Sequence, residues 1–308
     1  MSIQKNSTSI PSLEYNETIE RSRFFQNIQA WPLDDDLNYR GWLHNFTEGE
    51  ERKIACSILD FFVHYSSKMV NQMLGNSVSK AGYEFINHFS DWQHSDFNHR
   101  CFYSFIPGES QHPTDSGNLF TRKLRDGLGI PEERIVSYQD ITSIPKKSPI
   151  IFVDDFVGSG AQVYKAWNEN KIISNLTLKE YCSRSEHCAV YAPLIVNHLG
   201  HSVIKNDCTG LHLSATHVLG KEYDLFNSGC ICWKNDLTLY KEGVKLILKK
   251  SRKLGIPSTN GSDTRDEKGF GAQGLAISFE HGAPDAIPAF FYWNDGGWTP
   301  LIKKTYDR

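Results

Sequence analysis

Apolar residues recur at helical spacing in the first hundred positions of the chain. Residues 1–30 are mostly polar. After Trp42, apolar side chains recur at the spacing of a helix, at Ile54, Ile58, Phe61, Phe62, Tyr65 and Met69. This spacing predicts an amphipathic helix, and a second helix is predicted over residues 80–89. We therefore predict a tail and a helical N-terminal region over residues 1–95, as a first domain.

From residue 96 onward, short apolar runs alternate with helical stretches. The runs that predict strands are CFYSFI (101–106), RIVSY (134–138), PIIFV (149–153), HCAVYAPLIV (187–196), GCICW (229–233), GLAISF (274–279) and AFFYW (289–293). Helices are predicted between them, over residues 118–129 and from about residue 161. Strands that alternate with helices favour an α/β fold with a mainly parallel sheet flanked by helices. We predict that residues 96–308 form this second domain.

Composition and charge narrow the functional classes. The 308 residues are 39% hydrophobic and 22% charged, which is typical of a globular protein. No apolar run approaches the roughly 20 residues of a membrane span, and the N-terminus has no signal-peptide core. The formal net charge of −3 gives no bulk attraction to nucleic acid or to anionic lipid. A cytoplasmic protein without a membrane partner is the expectation.

The seven cysteines form an odd set without the spacing of a zinc ribbon. Cys230 and Cys232 would share one face of a predicted strand, because they are two positions apart. We interpret the cysteines as reduced thiols packed in the core, which fits a reducing compartment. A metal site or a disulfide remains the alternative.

The stretch IIFVDDFVGSGAQ carries the clearest chemistry. Asp154 and Asp155 directly follow an apolar strand, and ligands of open α/β sheets bind at the carboxyl ends of the strands. The residues Gly158, Ser159 and Gly160 then lead into a helix, whose N-terminus and backbone N–H groups suit a phosphate. Two carboxylates beside it suit the vicinal hydroxyls of a ribose, or Mg²⁺ held through water. A sugar phosphate satisfies both features.

Two other phosphate-binding motifs fit less well. A Walker A loop needs Lys and then Ser or Thr after its last glycine, and Ala161 and Gln162 stand there. A dinucleotide fingerprint places its glycines directly after the strand, not after two carboxylates. A surface turn in which the two aspartates cap a helix remains the plain alternative.

The stretch resembles the diphosphate-sugar-binding signature of type I phosphoribosyltransferases: four apolar residues, two acids and a loop of small residues. The resemblance implies that Asp154 and Asp155 are the acids of the catalytic site and bind the ribose 2′- and 3′-hydroxyls. It implies that Mg²⁺, held by these acids through water, bridges to the pyrophosphate. The phosphate loop that it implies consists of Gly158, Ser159, Gly160, Ala161 and Gln162. Gln162 departs from the family pattern, which usually has Thr or Ser at this position.

A longer resemblance extends over residues 40–308. The stretches GWLHNF, PGESQHPTDSG, DDFVGSGAQ, HVLGKEYDLF and GFGAQGLAISFEHGAPDAIPAFFYW together look like the phosphoribosyltransferase-like family of bacterial conflict systems. Members of this family are effectors of antiviral defence that occur beside retron reverse transcriptases. The resemblance implies as partners a reverse transcriptase with its nucleic acid and a winged-helix protein. It leaves open whether the chain forms a homo-oligomer.

Two further segments are candidates for the same site. PGESQHPTDSG follows the first strand, where phosphoribosyltransferases keep the pyrophosphate loop, and Ser116, Gly117 and His112 could bind an anion there. Phe270, between two glycines in GFGAQG, could stack on a base. A plain loop and a glycine-rich turn are the respective alternatives.

Two functional hypotheses follow. In the first, the chain is a defence effector that acts on a ribosyl 5′-phosphate compound or nucleotide, by phosphoribosyl transfer or by hydrolysis of the bond at C1. In the second, it is a non-catalytic, nucleotide-binding regulatory subunit of a defence complex. The sequence leaves open whether the chain is an enzyme, which base it recognises and what activates it.

Overall fold

The computed structural model describes residues 13–33, 36–47, 49–107, 116–173 and 175–303. Its α-helices are α1 Leu13–Asn27, α2 Tyr39–His44, α3 Gly49–Phe61, α4 Ser67–His88, α5 Asp96–His99, α6 Ser116–Leu128, α7 Ala161–Asn168, α8 Leu178–Arg184, α9 His198–Asp207 and α10 Leu237–Lys253. Its strands are β1 Val63–Tyr65, β2 Phe102–Phe105, β3 Pro149–Val157, β4 Lys171–Ile173, β5 Leu176–Thr177, β6 Cys188–Asn197, β7 Leu211–Leu213, β8 His217–Leu219 and β9 Ile277–Phe279.

The chain divides into two compact units. The first combines residues 1–66 with residues 221–308, and the second is continuous over residues 67–220. The predicted domain boundary after residue 95 falls within the second unit and stays a prediction.

The second unit is built on a five-stranded sheet in the order β2-β3-β6-β7, in which β8 also pairs with β6. All these pairs are parallel. Every residue of the central strand β6 is buried, as expected for a parallel strand that is covered on both faces. The predicted α/β fold with a mainly parallel sheet is confirmed.

Helices cover the two faces of this sheet. On one face, α7, α8 and α9 pack with alternate side chains of β3 and β6 in a buried cluster that includes Phe152, Trp167, Leu178, Tyr191 and Ile204. On the other face, α6 lies so close to β2 that a Cβ atom on Gly117 would overlap the ring of Phe105. Helix α4 contacts β6, and its Ser77 hydroxyl donates to the carbonyl of Pro193 at 2.9 Å. These layers fix the position of the central strands β3 and β6.

The first unit contains the parallel pair β1–β9 and a core rich in aromatic residues. The ring of Trp42 lies 4.9 Å from that of Phe46 and 5.9 Å from that of Phe291, centroid to centroid. Two runs in this unit that were predicted as strands are instead short 3₁₀ turns, at Ile231–Trp233 and Ala289–Phe291. These two predictions were wrong because an apolar run alone does not separate a strand from a turn that buries its aromatic residues.

The predicted strand over residues 134–138 is also wrong. A 3₁₀ turn ends at Arg134, Ile135 makes one isolated bridge to Tyr103, and the next 3₁₀ segment begins at Tyr138. Pro131 precedes the first turn and the Ser137 side chain caps the second, so local turn chemistry prevails over the apolar pattern.

All seven cysteines are buried and unpaired with each other, in agreement with reduced core thiols. Cys230 and Cys232 lie at a 3₁₀ turn. The prediction that they share one face of a strand is therefore wrong. Within the described ranges, no helix has both the length and the apolar character needed to cross a bilayer.

Candidate functional site

The acidic pair lies near the carboxyl end of the long strand β3. Asp154 pairs in register with Pro193 of β6, and the ladder continues to Val157. Because the strands of this sheet are parallel, the segments that follow β2, β3 and β6 emerge at the same edge. The sheet therefore brings the acids and these three segments to one place, the usual ligand edge of an open α/β sheet.

Asp154 is buried, with 7% of its surface exposed, and both of its carboxylate oxygens accept hydrogen bonds. Oδ2 accepts from the hydroxyl of Tyr191 at 2.6 Å, and Oδ1 accepts from the backbone N–H of Asp155 at 2.9 Å. Burial raises the pKa of Asp154 well above its usual range, and the charge of Asp155 raises it further, whereas the Tyr191 hydrogen bond lowers it. Burial also raises the pKa of Tyr191, so this phenol remains a donor.

Asp155 has a different environment. Its side chain is only partly buried, and its Oδ1 accepts the backbone N–H of Phe156 at 2.8 Å. Its carboxyl also lies within hydrogen-bonding contact of the Asp154 carboxyl, so the two acids interact although one is buried and the other is partly exposed. Asp154 and Asp155 are adjacent in sequence but are not equivalent in structure.

The segment after β3 is the predicted phosphate loop, over residues 158–162. Gly160 precedes α7 in the left-handed conformation (φ +82°), which favours glycine. The carbonyl of Gly158 accepts the backbone N–H of Gly200 in the first turn of α9, at 2.9 Å. A Cβ atom on Gly160 would lie 3.0 Å from the Gly200 Cα atom and 2.9 Å from the Val203 Cβ atom. At Gly160 the loop therefore packs directly on α9, with no room for a larger side chain.

Two groups of the loop already have partners in the protein. The Ser159 hydroxyl accepts the backbone N–H of Ala161 at 3.3 Å, at the start of α7. The Gln162 amide donates from Nε2 to the carbonyl of Ile106, just after β2, at 3.2 Å. Gln162 thus links the segments after β2 and β3, at a position where the family signature has a hydroxyl.

Replacement of Gln162 by Thr is expected to retain or improve the binding of ribose 5-phosphate. A Thr hydroxyl suits a phosphate oxygen, and the lost hydrogen bond to Ile106 costs about 0.5 to 1.5 kcal/mol. Calorimetric titration with ribose 5-phosphate and Mg²⁺ measures the effect. Gln162→Ala is the control, since it removes the same amide without adding a hydroxyl. Complete loss of binding by a folded Gln162→Thr protein would mean that the loop does not hold the phosphate as predicted.

The pyrophosphate-loop candidates lie at the start of α6, in the segment that follows β2. Ser116 is the first residue of this helix and Gly117 the second. Gly117 is buried against Phe105, so close packing is by itself sufficient to require glycine here. His112 lies outside the described residues. Since β2 neighbours β3, the segment begins at the same edge as the aspartates, and its anion-binding role stays a prediction.

Phe270, the candidate base-stacking residue, lies in the first unit, whereas the aspartates lie in the second. It begins a 3₁₀ turn and is 37% exposed. Gly269 and Gly271 on either side have φ angles of +77° and +66°. These values require glycine for the turn itself, and the stacking role stays a prediction.

Sequence reasoning missed two residues of this site, Tyr191 and Gly200. Tyr191 is a polar-tipped residue in an otherwise aliphatic strand, and Gly200 interrupts the first turn of a helix. Each was a usable signal, because a buried phenol needs a hydrogen-bond partner and a helical glycine often marks a close approach.

The carboxylate oxygens at the site are suitable ligands for a hard cation that also contacts a bound phosphate compound. Within the described ranges there is no cluster of three His, Cys, Asp or Glu side chains that could hold a metal. Both Asp154 oxygens accept hydrogen bonds, and Asp155 offers a more accessible carboxylate. Mg²⁺ commonly uses one or two carboxylates, water and substrate phosphates. The residues therefore fit Mg²⁺ held through water.

Comparison with known proteins identifies the family. The model of the PRTase-CE family matches residues 39–304, which include both aspartates and the whole loop. No curated protein and no solved structure matches the chain. The match agrees with the resemblance to phosphoribosyltransferases seen in the DDFVGSGAQ stretch. Because it covers most of the 308 residues, the chain belongs to the PRTase-CE family of phosphoribosyltransferase-like proteins.

Proposed function

We propose that the chain binds a ribosyl 5′-phosphate compound at the carboxyl edge of its parallel sheet and breaks the bond at C1. The observation that carries this proposal is the order of groups at the carboxyl end of β3. Two carboxylates near the end of the strand are followed, after Phe156 and Val157, by a glycine turn and the start of α7, packed on α9. Carboxylates recognise ribose hydroxyls, and the N–H groups of the turn recognise the 5′-phosphate.

The chemistry needs no covalent nucleophile. The C1 bond breaks through an oxocarbenium-like transition state, and the leaving base or pyrophosphate takes the electron pair. An acceptor base or water then forms the new bond to C1 and loses a proton. The chain contributes orientation, because the loop over residues 158–162 and Asp155 hold the two ends of the ribose phosphate. Mg²⁺, when bound, would neutralise a pyrophosphate leaving group.

Turnover by the purified protein tests the proposal. The substrates are 5-phosphoribosyl diphosphate and the common nucleoside 5′-monophosphates with Mg²⁺, and the products to be measured are ribose 5-phosphate, free base and pyrophosphate. The expected result is release from at least one substrate by the parent protein and none by the Asp155→Asn variant. Absence of both binding and release with every substrate would contradict the proposal.

Two observations favour a second candidate, a regulatory subunit that binds a nucleotide without converting it. The Gln162 amide and the Asp154 carboxylate both have hydrogen-bond partners within the protein. A site with its polar groups engaged in this way is suited to holding a ligand in one position. Ligand binding that raises the melting temperature, without any release of product, would support this candidate over the enzyme.

Mg²⁺ rather than Zn²⁺ is the expected metal. The candidate ligands are carboxylate oxygens, which prefer hard cations, whereas the buried cysteine thiols have raised pKa values that disfavour the metal-binding thiolate. We expect Mg²⁺ to strengthen the binding of 5-phosphoribosyl diphosphate but not that of ribose, which has no phosphate. Elemental analysis that finds stoichiometric zinc after preparation in metal-free buffers would contradict this expectation.

We extend the proposal to a cytoplasmic antiviral defence system, in which a retron-type reverse transcriptase with its nucleic acid and a winged-helix protein control the chain. The resemblance to effectors of bacterial conflict systems supports this setting. Co-expression with the neighbouring genes, followed by affinity purification and phage challenge, tests it. A chain that protects cells fully when expressed alone would contradict control by partners. The same preparations would show whether the chain forms a homo-oligomer.

A further inference from the structure

We propose that Tyr191 is a positioning residue that makes the two aspartates unequal: it holds Asp154 inside the protein and leaves Asp155 as the carboxylate that contacts the ribose. The inference rests on the proposed function, because it assigns separate tasks within the same site. It departs from the arrangement implied by the phosphoribosyltransferase signature, in which the two acids share the ribose hydroxyls.

The hydrogen bonds of Asp154 are the first support. Oδ2 accepts from Tyr191 at 2.6 Å and Oδ1 accepts from the Asp155 N–H at 2.9 Å. Asp154 has 7% and Tyr191 2% of its surface exposed. A ribose that reached Asp154 would have to compete with a short bond between two buried groups. At 2.6 Å this bond is short for one between two oxygen atoms.

The sheet register explains why this bond forms. Asp154 is opposite Pro193, so Tyr191 is its diagonal neighbour on the same face of β6. Phe152, also on this face, is directly opposite Tyr191 and is fully buried. Long side chains reach a diagonal neighbour across a sheet, which places the hydroxyl at the carboxylate.

Tyr191 has little freedom to leave this position. Its strand is buried along its whole length, and its ring belongs to the cluster formed with α7, α8 and α9. Two residues further on, the Pro193 carbonyl accepts the Ser77 hydroxyl of α4 at 2.9 Å. The strand that carries Tyr191 is therefore held from both faces of the sheet.

If the two aspartates have different tasks, the site should bind a sugar that carries the contacted hydroxyl more tightly than one that lacks it. With Asp154 held by Tyr191, Asp155 can lie against the ribose without a competing mobile carboxylate beside it. In Tyr191→Phe the phenol is lost, Asp154 Oδ2 has no donor from this strand, and the Asp154 carboxyl turns to hydrogen-bond the neighbouring Asp155 carboxyl. A hydroxyl contact to Asp155 would then be lost for ribose, whereas a sugar without that hydroxyl has no such contact to lose.

The test compares the dissociation constants of ribose 5-phosphate and 2-deoxyribose 5-phosphate, with Mg²⁺ present, for the parent protein and Tyr191→Phe. We expect the parent to prefer ribose 5-phosphate by about tenfold or more, the size of one good charged hydrogen bond. We expect this preference to fall below about threefold in Tyr191→Phe. Tyr138→Phe is the matched control, since it removes a buried phenol that donates to the Ala166 carbonyl at 3.2 Å in the same cluster. The control should keep the preference of the parent.

If the role of Tyr191 is merely structural, Tyr191→Phe weakens the binding of both sugar phosphates equally and leaves the ratio of their dissociation constants unchanged. That result would overturn the inference. If Tyr191→Phe does not fold, two other variants decide. Asp155→Asn should lose most of the preference, whereas Asp154→Asn, which can still pair with Tyr191, should lose less. Equal losses in these two variants would overturn the inference while the proposed function stands. If the parent protein binds neither sugar phosphate, the proposed function fails, and the inference fails with it.

Discussion

Gly200→Ala is expected to displace the loop over residues 158–162 and to lower the free energy of unfolding by about 1 to 3 kcal/mol, the usual cost of overpacking. A Cβ atom on Gly200 would lie 2.7 Å from the Gly158 carbonyl oxygen and 2.7 Å from the Val157 Cγ1 atom. The first of these is a backbone atom, which cannot rotate away. The loop or α9 must move, and the hydrogen bond from the Gly200 N–H to the Gly158 carbonyl would weaken.

The same displacement should weaken ligand binding. The N–H groups proposed to hold the 5′-phosphate lie in the three residues after Gly158, so a shift of the loop misplaces them. Chemical denaturation and calorimetric titration with ribose 5-phosphate measure the two effects. We expect the dissociation constant to rise about tenfold or more, which corresponds to the loss of about one charged hydrogen bond.

Gly127→Ala is the matched control. Gly127 lies in α6, is exposed, and has no atom within 4 Å of a Cβ atom built on it. Alanine in a helix is more favourable than glycine by roughly 0.5 to 1 kcal/mol, so this variant should be slightly more stable than the parent. A Gly200→Ala protein that matches Gly127→Ala in stability and the parent in affinity would show that close packing of α9 on the loop is not needed.

The sheet could be predicted from the sequence because its central strands have a local signal. PIIFV and HCAVYAPLIV are unbroken apolar runs, and both are strands of the parallel sheet. Strands that are buried on both faces have such runs in their sequence, and the two acids that follow the first run predict the ligand edge. The match of the PRTase-CE family over residues 39–304 agrees with this interpretation.

The details of the site depend on contacts between distant residues, which no local pattern records. Tyr191 is 37 positions from Asp154 in the sequence, and only the register of β3 with β6 brings them together. The need for glycine at position 200 likewise arises from Gly158, on another loop. A single sequence shows that a tyrosine or a glycine is present but not which partner it meets.

The wrongly predicted strands have a similar cause. In the GCICW run, Trp233 packs on Gly243 of α10 so closely that a Cβ atom there would overlap its ring. Its indole N–H donates to the Leu225 carbonyl at 2.9 Å. Burial of this one side chain fixes a 3₁₀ turn where the apolar pattern alone equally allows a strand.

The joint replacement Asp154→Asn/Asp155→Asn should remove ligand binding without loss of stability. Asparagine keeps the size of each side chain. At position 154 the asparagine NH₂ group can donate to the Tyr191 hydroxyl, and the asparagine amide oxygen can still accept the backbone N–H of residue 155. The repulsion between two neighbouring carboxylates disappears. We expect the variant to be as stable as the parent or more stable by up to about 1 kcal/mol, the scale of single charge interactions. We expect binding of ribose 5-phosphate to weaken by about tenfold or more, since a charged acceptor is lost.

The stability difference should depend on pH in a definite direction. Burial and the charge of Asp155 raise the pKa of Asp154 above its unfolded value of about 4. The folded parent therefore holds this proton more tightly than the unfolded chain, and the resulting stability is fully present below about pH 4. It is lost as the pH rises from there through the folded pKa. The Asn variant has no such titration at this position, so its advantage over the parent should be larger at pH 7 than at pH 4.

Denaturation at the two pH values, titration with ribose 5-phosphate, and phage challenge of cells that express the variant together decide the role of the pair. The proposed function predicts a folded variant that neither binds the sugar phosphate nor protects cells. Protection that persists in the variant would place the activity outside this site. A variant that unfolds at pH 7 would instead mean that the carboxylates are needed for the fold. The pair would then be structural, although its position at the carboxyl edge of β3 is where ligands of such sheets bind.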